Sequence, residues 1–197
     1  FTTGILQRGR DGKLVEEGNG YQVDRSQRIR LGSADPDFTM GWRHDINYKN
    51  ISLGLMITGR FGGIVTSQTQ AFMDAFGVSK VSAEARDNGG VMLDGHRYDA
   101  ERYYNTVGGQ GLMSYYTYDA TNVRLQELSL TYSLPKKWLG DVFNNATISF
   151  VGRNLFMFYR KAPFDPDMNG STGTYNRSDF FMAPSLRNLG FSIKFSL

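Results

Sequence analysis

Two runs of strict alternation, Phe38–Tyr48 and Ile51–Phe61, constrain this chain more than any other feature of it. In the first, Phe38, Met40, Trp42, His44, Ile46 and Tyr48 share one parity, while Thr39, Gly41, Arg43, Asp45 and Asn47 share the other. In the second, Ile51, Leu53, Leu55, Ile57 and Phe61 alternate with Ser52, Gly54, Thr58 and Arg60. A period of two is the signature of a β-strand with two unlike faces. Each run is about eleven residues long, the length a tilted strand needs to cross a bilayer and about twice that of an ordinary strand. The pattern therefore raises the question of whether protein or lipid covers the greasy face.

Composition leaves both answers open. No run of about 18 apolar residues exists, so no transmembrane helix is expected. A mean hydropathy of −0.39 looks soluble, but the index is blind to barrels, in which only every second strand residue meets lipid. The 23 glycines and 14% aromatic residues favour tight turns and interface-seeking rings. Twenty-two basic residues against 19 acidic ones give a net charge of only +3. With no Lys/Arg stripe, that weighs against nucleic acid as a partner. There is no cysteine, hence no disulfide framework and no thiolate metal site. The chain begins with Phe1 and no signal peptide follows, so it reads as a piece of something longer or a processed product.

Along the chain, residues 1–37 are Gly-rich and charged and read as a strand end and an extracellular loop. Residues 38–61 form a hairpin with a turn at 49–50. Residues 62–122 are a long insertion, within which Ala71, Phe72, Ala75 and Phe76 fall at helical spacing and Gly77 marks a helix stop. Residues 123–156 hold two strands joined by a turn at 135–145. In "VRLQELSLTYSL" the apolar parity switches between Leu125 and Leu128, which a β-bulge near Gln126-Glu127 reconciles. Residues 157–187 are a second long loop, and 188–197 are a clean final strand. Short connections (49–50, 135–145) alternate with long ones (62–122, 157–187), as periplasmic turns and extracellular loops do in outer-membrane barrels, with the C-terminus then periplasmic. Five strands cannot close such a barrel, which starts at eight, and an open sheet would leave unpaired edges in hydrocarbon. The expected fold is all-β: an antiparallel transmembrane β-barrel portion with long extracellular loops, one containing a short helix.

Four blocks carry a family resemblance: "GSADPDFTMGWRHDINYKNISLGLMITGRFGG", "VRLQELSLTYSLPKKWL", "ISFVGRNLFMFYRKAPFDPD" and the terminal "NLGFSIKFSL". In kind, order and spacing they resemble the SusC/RagA family of TonB-dependent outer-membrane transporters, and they cover most of Gly32 to Leu197. The resemblance implies about the last five strands of a 22-stranded barrel whose N-terminal plug and TonB box lie outside this chain. It further implies a Bacteroidetes-type outer membrane, a SusD-like surface lipoprotein as lid, energy from the TonB complex, and import of oligosaccharides or oligopeptides. It assigns no enzyme activity. The final strand also carries an assembly signal, polar-x-Gly-x-x-apolar-x-apolar, in Asn188, Gly190, Ile193 and Phe195. Leu197 ends the chain where the family's last residue is usually aromatic.

Within that frame the candidate residues fall into groups. Arg43, Asp45, Arg60, Arg124 and Arg153 lie on or near the polar parity, as lumen-lining charges that bind substrate or plug, or as solvated or paired lumen charges that hold the plug in register. Phe38, Trp42, Tyr48 and Phe61 read as lipid-facing and girdle rings. Tyr103, Tyr104, Tyr115, Tyr116 and Tyr118 are loop rings that either stack on substrate, meet the lid, or pack the loop against its neighbours. His44 and His96 have no ligand-spaced partner and carry no catalytic or zinc role. "DPDMNG" offers Asp165, Asp167 and Asn169 at the first, third and fifth positions of an EF-hand-like loop, a speculative Ca²⁺ site. Asn176 stands where the bidentate Glu belongs, and Pro166 at the second position fits that loop poorly. No nucleophile–base set is present. Two other readings remain: a soluble carbohydrate-binding β-domain, and an outer-membrane barrel enzyme whose catalytic residues lie outside this segment.

Overall fold

The computed structural model describes residues 2–139, 143–167 and 178–196. In chain order the strands before the first helix are β1 (Thr2–Leu6), β2 (Glu16–Glu17), β3 (Gly20–Tyr21), β4 (Val23–Arg30), β5 (Phe38–Tyr48), β6 (Ile51–Phe61) and β7 (Ile64–Ser67). Then come α1 (Gln68–Ala75), α2 (Lys80–Asp87), β8 (Val91–Leu93), β9 (His96–Tyr98), α3 (Ala100–Val107) and β10 (Thr117–Asp119). β11 (Asn122–Ser133), β12 (Asn145–Arg160), β13 (Ser178–Asp179) and β14 (Asn188–Ser196) complete the chain. These elements divide into two compact units.

The unit built from residues 36–62, 120–167 and 184–197 is one antiparallel sheet in the order β14-β12-β11-β6-β5. Its register sorts side chains along the first hairpin: Trp42 opposes Ile57, His44 opposes Leu55 and Ile46 opposes Leu53. Leu55 in turn opposes Leu128 and Leu53 opposes Leu130 on β11. Leu130 opposes Phe150 on β12, and Phe150 opposes Phe191 on β14. One continuous, largely apolar face results, and it is exposed: Trp42 is 51% accessible, Phe191 66% and Phe195 61%. Phe38 and Phe61 stack on it with centroids 4.6 Å apart, and Trp42 and His44 at 5.6 Å. β5 and β14 are the sheet's edges, exposed along their whole length.

Connections follow local chemistry. The two-residue turn between β5 and β6 places Lys49 at φ 53°, and Asn50 is fastened to β11 through Ser133 by two hydrogen bonds of 2.8 and 2.9 Å. At the far end Gly62 takes φ +75°, a conformation that strains any side chain, and a Cβ there would also press on the Asp37 carboxylate. A register shift between Leu125 and Glu127 occurs against both neighbouring strands. The bulge inferred from the parity switch is there, and it returns Leu128 and Leu130 to the apolar face.

The other unit comprises residues 1–35, 63–119 and 168–183. It is a small globule with its own core of Leu14, Tyr21, Ala71, Tyr98, Tyr103, Val107, Leu112 and Tyr116. β1 pairs with β4, and a three-stranded sheet runs β10-β7-β13. Tyr21 meets Tyr98 edge-on at 5.5 Å, and the Tyr98 hydroxyl accepts the Leu14 N–H at 3.1 Å. Helix α1 starts where the Ser67 side chain accepts the Gln70 N–H and stops at Gly77, φ +68°. Besides this expected helix, α2 and α3 form, capped by Ser79 and Asp99. The long insertion is therefore a packed body, built jointly with residues near the start of the chain.

Candidate functional site

The polar face of the five-stranded sheet collects every charge assigned to it. Arg43 opposes Met56, which opposes Glu127, which opposes Arg153; Arg60 opposes Asn122, and Arg124 opposes Thr58. The charges fall into two kinds. Arg43 pairs with Asp45 at 2.9 Å and Arg153 with Glu127 at 3.0 Å, and in both the arginine is well exposed. Such pairs are solvated and contribute little.

Arg124 is different. Its side chain is only 6% accessible, and Nη2 lies 2.7 Å from both Asp165 and Asp167. Nη1 donates to Asn154 Oδ1 at 3.0 Å, and Nε to Asn122 Oδ1 at 3.4 Å. Arg60 Nη1 adds a longer contact of 3.6 Å to Asp167. Asp165 also accepts the backbone N–H groups of Asp167 (3.1 Å) and Ser185 (3.2 Å). The arrangement fastens both ends of the connection between β12 and β14 to the middle of the sheet. Local geometry delivers the parts: Asn154 sits at φ 56° in an irregular stretch of β12, and its amide also donates to Leu186 O at 3.3 Å. Burial pushes the Asp165 carboxyl up, but the Ser185, Arg124 and Asp167 donors outweigh it and hold it below the usual range.

This network bears on the calcium reading of "DPDMNG". The Asp165 and Asp167 carboxylates face a guanidinium, which supplies the positive charge that a cation would bring and occupies the same oxygens. Asn169, the third proposed ligand, lies outside the described residues, as do Gly170 and Asn176. Among the described residues no three His, Asp or Glu side chains are grouped to hold a metal ion.

The five loop tyrosines separate by burial. Tyr103 and Tyr116 are 5% and 3% accessible, inside the globular unit's core, and burial raises both phenol pKa values. They pack the loop and are unavailable to stack on a substrate. Tyr104 and Tyr118 are half-buried, and Tyr104 lines a cavity of about 330 Å³ with Phe76, Arg86 and Glu101. Tyr115 alone of the five is exposed, at 45%, with its ring edge-on to Tyr103 at 6.2 Å. Phe72, Phe76, Phe180 and Phe181 form an exposed cluster on the same unit, with neighbouring centroids 5.4–6.4 Å apart.

In β14, Asn188 opposes Arg153 and Gly190 opposes Val151 on the polar face, while Ile193 opposes Ile148 and Phe195 opposes Ala146 on the apolar face. Leu197 lies outside the described residues. No helix among the described residues is long and apolar enough to cross a membrane, which says nothing of strands.

Comparison with known proteins agrees with this geometry. The chain is 29% identical over 188 residues to TonB-dependent receptor P3 of Formosa agariphila, covering 91% of this chain and 18% of that protein. It is 26% identical over 156 residues to TonB-dependent receptor P26 of the same organism, covering 77% and 15%. The chain thus spans less than a fifth of the length of these relatives. Structures of the RagAB peptide importer superpose with a TM-score of 0.69. In the closed-closed state they share 17% identity over 99% of this chain and 22% of that one. In the open-open state the values are 18%, 100% and 22%. No family model matches the chain. The sequence relatives bear out the resemblance to TonB-dependent transporters, and the structures share its antiparallel wall. The relatives are receptors by name, not enzymes.

Proposed function

We propose that this chain is the C-terminal wall and loop portion of a SusC/RagA-like TonB-dependent transporter in a bacterial outer membrane, importing an oligosaccharide or oligopeptide. The observation that carries the reading is the sheet itself. Strands of eleven and more residues present an exposed, continuous apolar face on one side and paired charges on the other. Lipid on the first and a wet lumen on the second satisfy both faces. The bare edges β5 and β14 require further strands of the same barrel, because unpaired N–H and C=O groups are prohibitively costly in hydrocarbon.

In this reading the 49–50 turn and the C-terminus face the periplasm. The globular unit and the 157–187 connection lie outside the cell, where they meet substrate and a SusD-like lipoprotein lid. The Phe72–Phe76–Phe180–Phe181 cluster is the part of the globular unit suited to a protein lid, since no lipid is there to cover it. Energy comes from a TonB complex acting on a plug carried elsewhere in the parent protein. The test is spin labelling of the parent protein in liposomes, one cysteine at a time from 38 to 48. Labels at the even positions should relax with oxygen and those at odd positions with a water-soluble nickel chelate. Equal nickel access at both parities would overturn the membrane reading.

A further inference from the structure

A small cavity of about 170 Å³ lies in the globular unit where the β1–β4 pair meets the turn after α3. The pair is in register at Thr3–Ile29 and again at Ile5–Asp24, so the four residues from Arg25 to Arg28 bulge out against the single residue Gly4. Asp24 shapes the bulge: its Oδ1 accepts from Ser26 N (2.8 Å), Ser26 Oγ (2.6 Å) and Gln27 N (3.3 Å). Gly4 lets the bulged backbone come close, since a Cβ there would fall 2.9 Å from Asp24 O. Arg25 and Arg28, the first and last residues of the bulge, both line the cavity. Thr3 and Gly4 join them from β1, and Gln110 and Leu112 from the turn; Thr2 and Gly111 complete the lining and bring no charge.

The charge here is all of one sign. No carboxylate among the described residues lines the cavity, and Asp24 lines the neighbouring one instead. Neither Arg25 nor Arg28 has an ion-pair partner among the described residues. Arg25 Nη2 donates to the Gln110 carbonyl at 3.4 Å, which uses one of its five donors. Thr3 is 6% accessible, and its hydroxyl finds no hydrogen-bond partner among the described residues. A buried hydroxyl is rarely left so, and an acceptor in the cavity would satisfy it. Two guanidinium forks, each matched to a pair of oxygens, and a spare hydroxyl suit a compact group rich in acceptors. Two positive charges balance a phosphate monoester, at about −1.5 to −2 near neutral pH, better than a carboxylate. The cavity is smaller than the sites that enclose drug-sized ligands, so it takes one such group.

We infer that this cavity is a site for one phosphate group, from a phosphorylated glycolipid of the outer leaflet or from solution, clasped by Arg25 and Arg28 with Thr3 as a further donor. The site is independent of the cargo, and only its lipid source rests on the membrane reading. The test is calorimetric titration of inorganic phosphate, and then of acetate, into the detergent-purified parent protein at constant ionic strength. Phosphate should bind about tenfold tighter than acetate or better. Arg28→Gln should weaken phosphate by about tenfold or more. Arg28→Lys, which keeps the charge without the fork, and Thr3→Val, which keeps the shape without the hydroxyl, should each cost about threefold or more. Arg10→Gln, an exposed arginine outside the cavity, is the control and should cost less than about twofold. In native mass spectrometry, retention of lipid A over its dephosphorylated form, lost in Arg28→Gln, assigns the phosphate to the leaflet. Phosphate binding without that preference assigns it to solution. The site is overturned by the absence of both phosphate binding and lipid preference, by acetate binding as well as phosphate, or by Arg10→Gln costing as much as Arg28→Gln. Indifference to both Arg28→Lys and Thr3→Val overturns it too. If the membrane reading alone is wrong, the spin-label alternation vanishes and phosphate binding remains.

Discussion

Replacing Arg124 by Met separates a buried ion cluster from an ordinary surface charge. Methionine keeps most of the length of the side chain and removes the guanidinium. Asp165, with a side chain 9% accessible, then keeps only the Asp167 and Ser185 N–H donors, and Asp167 loses its 2.7 Å partner. Breaking one partner out of a buried pair costs about 3–5 kcal/mol, because a desolvated charge is stranded. The cost falls on whatever state keeps Asp165 buried, namely the docked ends of the β12–β14 connection. Undocking re-solvates the carboxylate, so the locally open population should rise by about a hundredfold or more. Amide exchange of Ser185 and Asp167, followed by mass spectrometry on the parent protein in detergent, reads this directly. Arg43→Met is the control: its partner Asp45 is exposed and stays solvated, so exchange should hardly change. Arg124→Met combined with Asp165→Leu should recover much of the loss, since no buried charge is then left unpaired. If Arg124→Met accelerates exchange no more than Arg43→Met does, the cluster does not hold the connection.

Acid should release the same connection. The folded pKa of Asp165 lies below its unfolded value of about 3.9. Its contribution is therefore complete above that value and is lost as pH falls through the lowered one. The exchange difference between the unaltered protein and Asp165→Asn should hold from pH 7 to about 5 and shrink below about 4. Tyr103→Ala should destabilise the globular unit by about 3–5 kcal/mol as a large core truncation, while Tyr115→Ala, which loses an exposed ring packed edge-on against Tyr103, should cost about 1 kcal/mol. Millimolar Ca²⁺ should give no binding heat beyond an Asp165→Ala/Asp167→Ala control, since Arg124 already occupies those oxygens. Deleting Gly190–Leu197 should abolish outer-membrane insertion, read as loss of the parent protein from the outer-membrane fraction; normal surface levels would refute the assembly role of β14.

Alternation determined the wall. A strand's side chains obey a period of two whatever surrounds it, so Phe38–Tyr48 and Ile51–Phe61 could be assigned, faced and measured from local sequence alone. The switch of parity in "VRLQELSL" even located the bulge at Gln126. Gly77 likewise announced the end of α1. Helix α3 was legible too: Ala100, Tyr103, Tyr104 and Val107 follow Asp99 at helical spacing, a pattern hidden by reading the stretch only as Tyr-rich loop.

What the tertiary structure alone decided are the long-range choices. No local rule says that Leu14 and Tyr21 pack on Tyr98 and Tyr103 some eighty residues away, giving an expected polar loop a core of its own. Nor does a local rule say that Asp165 and Asp167, spaced like calcium ligands, lie against Arg124 across 41 and 43 residues of chain. A carboxylate takes whichever positive charge the fold brings to it, and sequence spacing records only the neighbours along the chain. Parity is set by each residue's own backbone, whereas a partner is set by everything else.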